Sequence, residues 1–186
     1  PGAVLDQSFL EGNANVFLAS LYYNDPQKKI GLAHLDISTG DFLFTELDKE
    51  ELVNELQRFR AAELIVDSTQ AEEFVKTLPL ETLPTITVFD SWQFQPQEAI
   101  ATLKKHFGVT TLEPYGAHNK LLGATAAGAA LAYVQGLYNS PLNHISSLRY
   151  YSLSQYMQLD EISRRNLELV RSIRYGTKYG SLLSAI

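Results

Sequence analysis

Three predicted β-strands end in aspartate, and these three residues are the side chains of this sequence best suited to hold metal ions. They are Asp36, Asp67 and Asp90. Carboxylates at the ends of adjacent strands can hold two magnesium ions that activate water for phosphodiester cleavage. The alternative is structural, because aspartates in these positions also form turns and cap helices. No fourth acid and no helix-borne histidine stands at a supporting position.

Other residue patterns give no strong catalytic signature. The segment 36–40 (DISTG) is compatible with a phosphate loop or with the aspartate of an acid protease, but its residues are also ordinary turn formers. The segment 176–181 (GTKYGS) lacks the spacing of a nucleotide-binding loop. The four histidines include no i, i+4 pair, and the absence of cysteine excludes thiol catalysis and thiolate zinc sites.

Composition predicts one domain of ordinary size with a short appendage. The chain has 186 residues, of which 45% are hydrophobic, and its net charge is −6. Residues 1–148 carry 9 Lys or Arg and 18 Asp or Glu, whereas residues 149–186 carry 6 and 3. The acidic body disfavours DNA binding by the main domain, and the change of sign indicates a boundary.

The compartment follows from the same composition. The most apolar stretch, 121–134, is shorter than the roughly 20 residues that a transmembrane helix needs. We therefore expect a soluble, cytoplasmic protein without a membrane partner. The first residue, Pro1, is not methionine, so we expect the chain to be a piece of a longer protein.

Hydrophobic periodicity predicts a mixed α/β fold whose elements position these residues. Strands are predicted over 15–23, 30–36, 42–47, 63–66 and 86–89, and helices over 49–59, 70–76, 97–107 and 119–138. Three antiparallel strands followed by α/β crossovers are the order of an RNase H-like mixed sheet flanked by helices. The many Ala and Gly residues of the last helix predict close approach to a neighbouring layer. Beyond residue 147 we expect a strand-like run within 148–159, and then a mainly helical part whose first helix begins at Asp160.

Several segments resemble the connector domain of MutS-type mismatch repair proteins and the start of the core (lever) domain that follows it. The N-terminal residues 1–6 (PGAVLD) and the hairpin 31–42 (GLAHLDISTGDF) resemble the beginning of that connector. The segments 156–169 (YMQLDEISRRNLEL) and 180–183 (GSLL) resemble the start of the core domain. The resemblance implies a connector over 1–147 and a truncated core segment over 148–186.

The resemblance implies a non-catalytic role. In the family the connector has an RNase H-like fold without nuclease function, links the mismatch-reading domain to the core, and relays nucleotide state. The mismatch-reading domain would precede Pro1, and the ATPase would follow Ile186. This piece is therefore expected to need no cofactor and no metal, whereas the full-length protein would bind ATP and Mg.

The resemblance also implies partners. A MutL-type protein would dock on the connector, and the helix 97–107 is similar to the family's contact region. Its outward residues are predicted to be Ala101, Thr102 and Lys105. Other domains of the same chain, a second MutS copy and mismatched DNA would be partners of the full-length protein, in the bacterial cytoplasm at the nucleoid. The alternative stays open: an RNase H-like metal-dependent nuclease using Asp36, Asp67 and Asp90.

Overall fold

The computed structural model describes residues 17–24, 29–72, 84–138 and 142–153. By its contacts the chain divides into two compact units, Pro1–Ser152 and Leu153–Ile186. The described ranges belong to the first unit, apart from Leu153. The helix predicted over 70–76 lies largely outside these ranges, and the helix predicted from Asp160 lies entirely outside them. The domain boundary after residue 147 stays a prediction.

A six-stranded mixed sheet forms the centre of the first unit, as the sequence predicts. Its order is β5-β4-β1-β2-β3-β6. The strands β1, β2 and β3 form an antiparallel meander, and β4 pairs parallel to β1, β5 to β4, and β6 to β3. This arrangement confirms the mixed α/β fold, with the predicted antiparallel meander followed by strands that pair in parallel. The strands span Phe17–Asn24, Lys29–Asp36, Phe42–Asp48, Glu63–Asp67, Thr85–Phe89 and Arg149–Tyr150.

Three α-helices with described bounds accompany this sheet. They are α1, Leu52–Arg58; α2, Pro96–Phe107; and α3, Leu121–Leu137. Short 3-10 turns at Lys49–Glu51 and Ser91–Phe94 precede α1 and α2. Within the described ranges no helix is long and apolar enough to cross a membrane.

The small residues of α3 let this helix lie directly against the sheet. A Cβ atom on Gly31 of β2 would lie 2.0 Å from the carbonyl oxygen of Leu122. A Cβ atom on Gly123 would lie 2.7 Å from the carbonyl oxygen of Thr45 in β3. Because these distances exclude any side chain, the glycines permit the close approach that the Ala- and Gly-rich helix predicts.

The start of α3 is capped by a residue from the sheet. The Glu46 carboxylate of β3 accepts hydrogen bonds from the backbone N–H groups of Leu122, at 2.9 Å, and Gly123, at 3.3 Å. A carboxylate is favourable there because the first N–H groups of a helix lack partners within the helix. The cap therefore fixes the register between α3 and β3.

The opposite face of the sheet carries an aromatic cluster around His34. Because side chains alternate along β2, His34 points away from the face on which Gly31 meets α3. The His34 ring stacks on Phe59 with ring centroids 4.0 Å apart. Phe17 packs against His34 in an edge-to-face arrangement with ring centroids 6.3 Å apart. Tyr151 completes the cluster, with its ring centroid 6.4 Å from that of His34.

Candidate partner-docking surface

The sequence determines both ends of α2, the helix that carries the predicted docking residues. Pro96 occupies a first-turn position, where its fixed φ suits the helix and its missing N–H would have no partner within it. Gly108 ends the helix in the left-handed conformation with φ 65°, and its N–H donates to the carbonyl oxygen of Lys104. The helix bounds therefore agree with the predicted range of 97–107 within one residue.

The inner face of α2 is held tightly by α3. Ala99 and Leu103 are buried, and a Cβ atom on Gly128 would lie 2.3 Å from the carbonyl oxygen of Ala99. Backbone contact of this kind leaves no gap between the two helices. The orientation of α2, and with it the direction of its outer face, is therefore fixed by packing.

The outer face of α2 carries the three predicted residues together. Ala101 and Lys105 are exposed, and Thr102 is partly exposed. Residues three and four apart are neighbours on a helix surface, so Thr102 and Ala101 both lie next to Lys105. Among the described residues neither Lys104 nor Lys105 has an ion-pair partner. The face is thus small, uncharged at Ala101 and Thr102, and basic at its C-terminal end.

The turn before α2 presents an exposed tryptophan that the sequence analysis did not single out. Trp92 is 53% exposed, whereas Phe94 two residues later is buried and stacks on Tyr22. The Ser91 hydroxyl donates to the Asp67 carboxylate at 3.2 Å, which ties this turn to the end of β4. Its signal in the sequence is that Trp92 is the only tryptophan of the chain.

Asp36 and Asp67 lie at opposite ends of the sheet and on opposite faces. In the β1 register Asp36 pairs with Phe17, whereas Val66 pairs with Leu21, which puts Asp67 beside Tyr22. Phe17 and Tyr22 are five positions apart along β1, which corresponds to about 17 Å. Because side chains alternate along a strand and five is an odd number, the two aspartates lie on opposite faces of the sheet. Two catalytic metal ions lie only about 4 Å apart. The two carboxylates therefore cannot share a two-metal site.

Two of the three aspartates form turns through their carboxylates instead. One Asp36 carboxylate oxygen accepts from the Ser38 N–H at 2.8 Å and the Ser38 hydroxyl at 2.6 Å. One Asp67 oxygen accepts from the N–H and the hydroxyl of Thr69, both at 2.8 Å. Asp90 is exposed and stands at the N-cap position of the 3-10 turn, but its side chain makes no capping hydrogen bond there. Turn formation, the structural alternative, accounts for the side chains of Asp36 and Asp67.

The described residues give no support to the nuclease alternative or to a phosphate loop. No group of three or more His, Cys, Asp or Glu side chains in these ranges is arranged to hold a metal ion. In the loop 36–40 the N–H groups of Ser38 and Thr39 both point to the Asp36 carboxylate, so they are already occupied. Gly40, at φ 78°, is required by the turn and by the contact with the carbonyl oxygen of His144.

Burial shifts several titratable groups within the fold. Desolvation, together with the Arg58 guanidinium, lowers the pKa of His34 to about 3. Desolvation raises the pKa of Glu55, and Arg58 opposes that shift through an ion pair at 2.9 Å. Desolvation and a hydrogen bond to Glu63 raise the pKa of Tyr133 to about 12. These groups lie in the interior of the domain and not on the outer face of α2, so the shifts do not concern that face.

The fold and site define a mixed α/β domain with a presented helix face, and the described residues include no group of side chains arranged to hold a metal ion. The family model for MutS domain II matches residues 15–146. The chain therefore belongs to the MutS domain II family.

Curated relatives match along nearly the whole chain. The DNA mismatch repair protein MutS of Dehalococcoides mccartyi (strain 195) is 37% identical over 186 residues, which are 100% of this chain and 21% of the relative. The protein of the same name from Symbiobacterium thermophilum is 36% identical over 188 residues, covering 98% of this chain and 21% of the relative. That from Myxococcus xanthus is 36% identical over 190 residues, covering 100% and 21%. The chain thus spans about a fifth of the length of these relatives.

Proposed function

We propose that this chain is the non-catalytic connector of a MutS-type DNA mismatch repair protein, followed by the first segment of its core domain. The family match and the names of the curated relatives support the mismatch repair context. The observation that carries the proposal is the outer face of α2, which packing holds in one orientation while Ala101 and Lys105 stay exposed. A helix presented in this way suits recognition by a partner.

The proposed task is a relay between the mismatch-reading and core domains. A relay has to move as a unit when the nucleotide state of the full-length protein changes. The backbone contacts at Gly31 and Gly128 support this, because they join the sheet, α3 and α2 without intervening side chains. Small relative shifts of these elements would meet steep repulsion, so the domain would transmit displacement as a rigid body.

The proposed partner on the α2 face is a MutL-type protein, contacted by Ala101, Thr102 and Lys105. Mismatched DNA, ATP and Mg would be bound by other parts of the full-length protein, which would act as a homodimer in the bacterial cytoplasm at the nucleoid. The acidic balance of residues 1–148 supports this division, since that surface repels phosphate backbones.

The test is binding of the cognate MutL-type protein to this chain, with duplex DNA as a parallel analyte at low and moderate salt. The variant Thr102→Glu plus Lys105→Glu adds carboxylates and removes a positive charge from the outer face of α2. We expect it to weaken MutL binding by about tenfold or more, because the new carboxylates would lose hydration in the interface and would repel acidic groups of the partner.

A matched control carries the same charge change elsewhere on the surface. Thr110→Glu plus Lys29→Glu alters two exposed residues that lie outside α2, and its affinity should stay within about twofold of wild type. Equal affinities of the two double variants would reject the α2 face as the docking surface. Salt-sensitive binding of duplex DNA without MutL binding would contradict the connector proposal.

A further inference from the structure

The chain leaves the first unit through the shortest strand of the sheet. β6 has two residues and lies at the end of the strand order, paired in parallel with β3. The Tyr151 N–H extends this pairing by donating to the carbonyl oxygen of Phe44 at 3.0 Å. The first unit ends one residue later, at Ser152. A strand with so few backbone hydrogen bonds opens readily unless its side chains hold it in place.

Tyr150 holds this exit on the face of the sheet that α3 covers. Its ring packs against Phe44 in an edge-to-face arrangement with ring centroids 5.5 Å apart. The Lys120 Nζ atom lies 5.0 Å from the centroid of the Tyr150 ring. A Cβ atom on Gly116 would lie 2.8 Å from the Cβ atom of Tyr150. The side chain of Tyr150 is therefore enclosed by β3 and by the loop that precedes α3.

Tyr151 holds the exit on the opposite face, where it is buried in the aromatic cluster around His34. Its ring centroid lies 5.6 Å from that of Phe59 and 6.4 Å from that of His34. The central guanidinium carbon of Arg58 lies 5.6 Å from the centroid of the Tyr151 ring. Because successive side chains of an extended chain point to opposite faces, the two adjacent tyrosines grip the sheet from both sides.

The ring contacts connect the exit to the interior of the fold. His34 belongs to β2, an inner strand, and Phe59 directly follows α1. On the other face a Cβ atom on Gly123 of α3 would lie 2.8 Å from the Phe44 ring, so this ring is packed directly against the helix. Movement of the chain beyond Ser152 would therefore displace packed rings before it could extend loose backbone.

We propose that these contacts form a two-sided clamp on the chain exit, and that this clamp passes movement of the following segment to the sheet. The exit clamp consists of Tyr150 and Tyr151 with their ring partners Phe44, His34 and Phe59. The inference rests on the proposed relay for its purpose and deepens it, because a relay that moves as a unit needs an outgoing end that does not yield.

The test measures how firmly the exit is held relative to α2. The chain contains no cysteine, so spin labels on Gln97→Cys and Ser152→Cys report a single distance within the first unit. Double electron–electron resonance should give a narrow distance distribution for the otherwise wild-type chain. Tyr151→Ala should widen this distribution by about twofold or more. Without the labels, the same substitution should speed amide exchange at residue 151 by about tenfold or more, as measured by NMR.

Three variants separate the clamp from general stability. Tyr151→Phe keeps the ring and should give the label distribution of wild type. Tyr22→Ala removes a partly buried tyrosine that stacks on Phe94 three strands away from β6, and it should also leave the distribution unchanged. Phe59→Ala removes a ring partner that lies outside the exit and should widen the distribution as Tyr151→Ala does. It carries the test if far-UV circular dichroism shows that Tyr151→Ala is unfolded.

The outcomes separate this inference from the proposed function. A wild-type distribution as broad as that of Phe59→Ala would overturn the clamp, and so would equal widening by Tyr22→Ala. If the chain binds the MutL-type protein but its exit is broadly distributed, the docking proposal stands and the clamp is wrong. If the exit is narrowly distributed and only the clamp variants loosen it, the clamp stands even when the MutL-type protein does not bind.

Discussion

We expect His34 to make the stability of this domain sensitive to acid. Its side chain is fully buried, and neither ring nitrogen has a hydrogen-bond partner among the described residues. The rings of Phe59, Phe17 and Tyr151 surround it, and Arg58 is the charged group that acts on it. A proton on this imidazole would create a charge in an apolar cluster without a counterion, which is why the folded state favours the neutral form.

The size of the effect follows from the two pKa values. The pKa is about 3 in the folded chain and 6.5 in the reference state, so the unfolded chain binds the proton more tightly. The stabilisation is therefore present above pH 6.5 and is lost progressively as pH falls towards 3. The loss from this one group is about 1.4 kcal/mol at pH 5.5 and about 2.7 kcal/mol at pH 4.5. Losses of that size are a large fraction of typical domain stability.

The assay compares urea unfolding of wild type and two variants that do not titrate, His34→Phe and His34→Leu. Each is followed by far-UV circular dichroism between pH 7.5 and 4.5. Carboxylates also protonate in this range, so the quantity of interest is the difference in pH dependence between wild type and variant. Two variants are used because phenylalanine overfills the site and leucine leaves space, whereas both remove the titrating ring.

The control is His118→Gln, which removes an exposed imidazole with a side-chain exposure of 71%. It should keep the full pH dependence of wild type. If both His34 variants lost as much stability between pH 7.5 and 5.5 as wild type, the argument that a buried neutral His34 governs this range would be refuted.

Four further substitutions test the packing, the helix cap and the turns. Gly128→Ala should destabilise the domain by about 1–3 kcal/mol, because its Cβ would lie 2.3 Å from the carbonyl oxygen of Ala99. Gly136→Ala in the same helix meets no atom within 4 Å and should stabilise by up to about 1 kcal/mol, so thermal unfolding of the pair should shift in opposite directions. Glu46→Ala removes the cap of α3 and should cost about 1 kcal/mol in urea unfolding, with an unchanged midpoint contradicting the cap. Asp36→Ala leaves the N–H groups of its hairpin without their acceptor and should cost about 1–3 kcal/mol by the same measurement, and no change would show that water replaces it freely.

Local patterns in the sequence were sufficient to predict the helices and strands of the described residues. Period-two and period-3.6 patterns give β2, β3 and α2 within one or two residues, because each element buries one face. The small residues of α3 correctly predict close packing, since only glycine fits where a helix backbone touches a strand. Pro96 and Gly108 predict the ends of α2 because their backbone preferences act locally.

Features that depend on strand direction or on distant segments could not be predicted in this way. Asp36 and Asp67 both end strands, but β2 runs antiparallel to β1, whereas β4 runs parallel to it. The ends of β2 and β4 therefore lie at opposite ends of the sheet. Glu46 caps backbone groups of α3 that follow it by 76 and 77 positions in the sequence. A cavity at the C-terminal end of α2 brings His106 together with residues of two later segments, the end of α3 and the loop before β6. No local pattern records such contacts, because they exist only once the chain is packed.

The same packing occupies the Asp67 carboxylate at the end of β4 and agrees with the proposed relay. A metal site needs carboxylate oxygens that are free to bind a cation, whereas in Asp67 they accept hydrogen bonds from Thr69 and Ser91. The bond to Ser91 connects the end of β4 to the turn that begins the α2 segment, and Gly128 then locks α2 against α3. The carboxylate thus contributes to holding the proposed docking helix on the sheet. A force applied at the outer face of α2 would reach the sheet through short polar and backbone contacts, which is the mechanical property that the proposed relay requires.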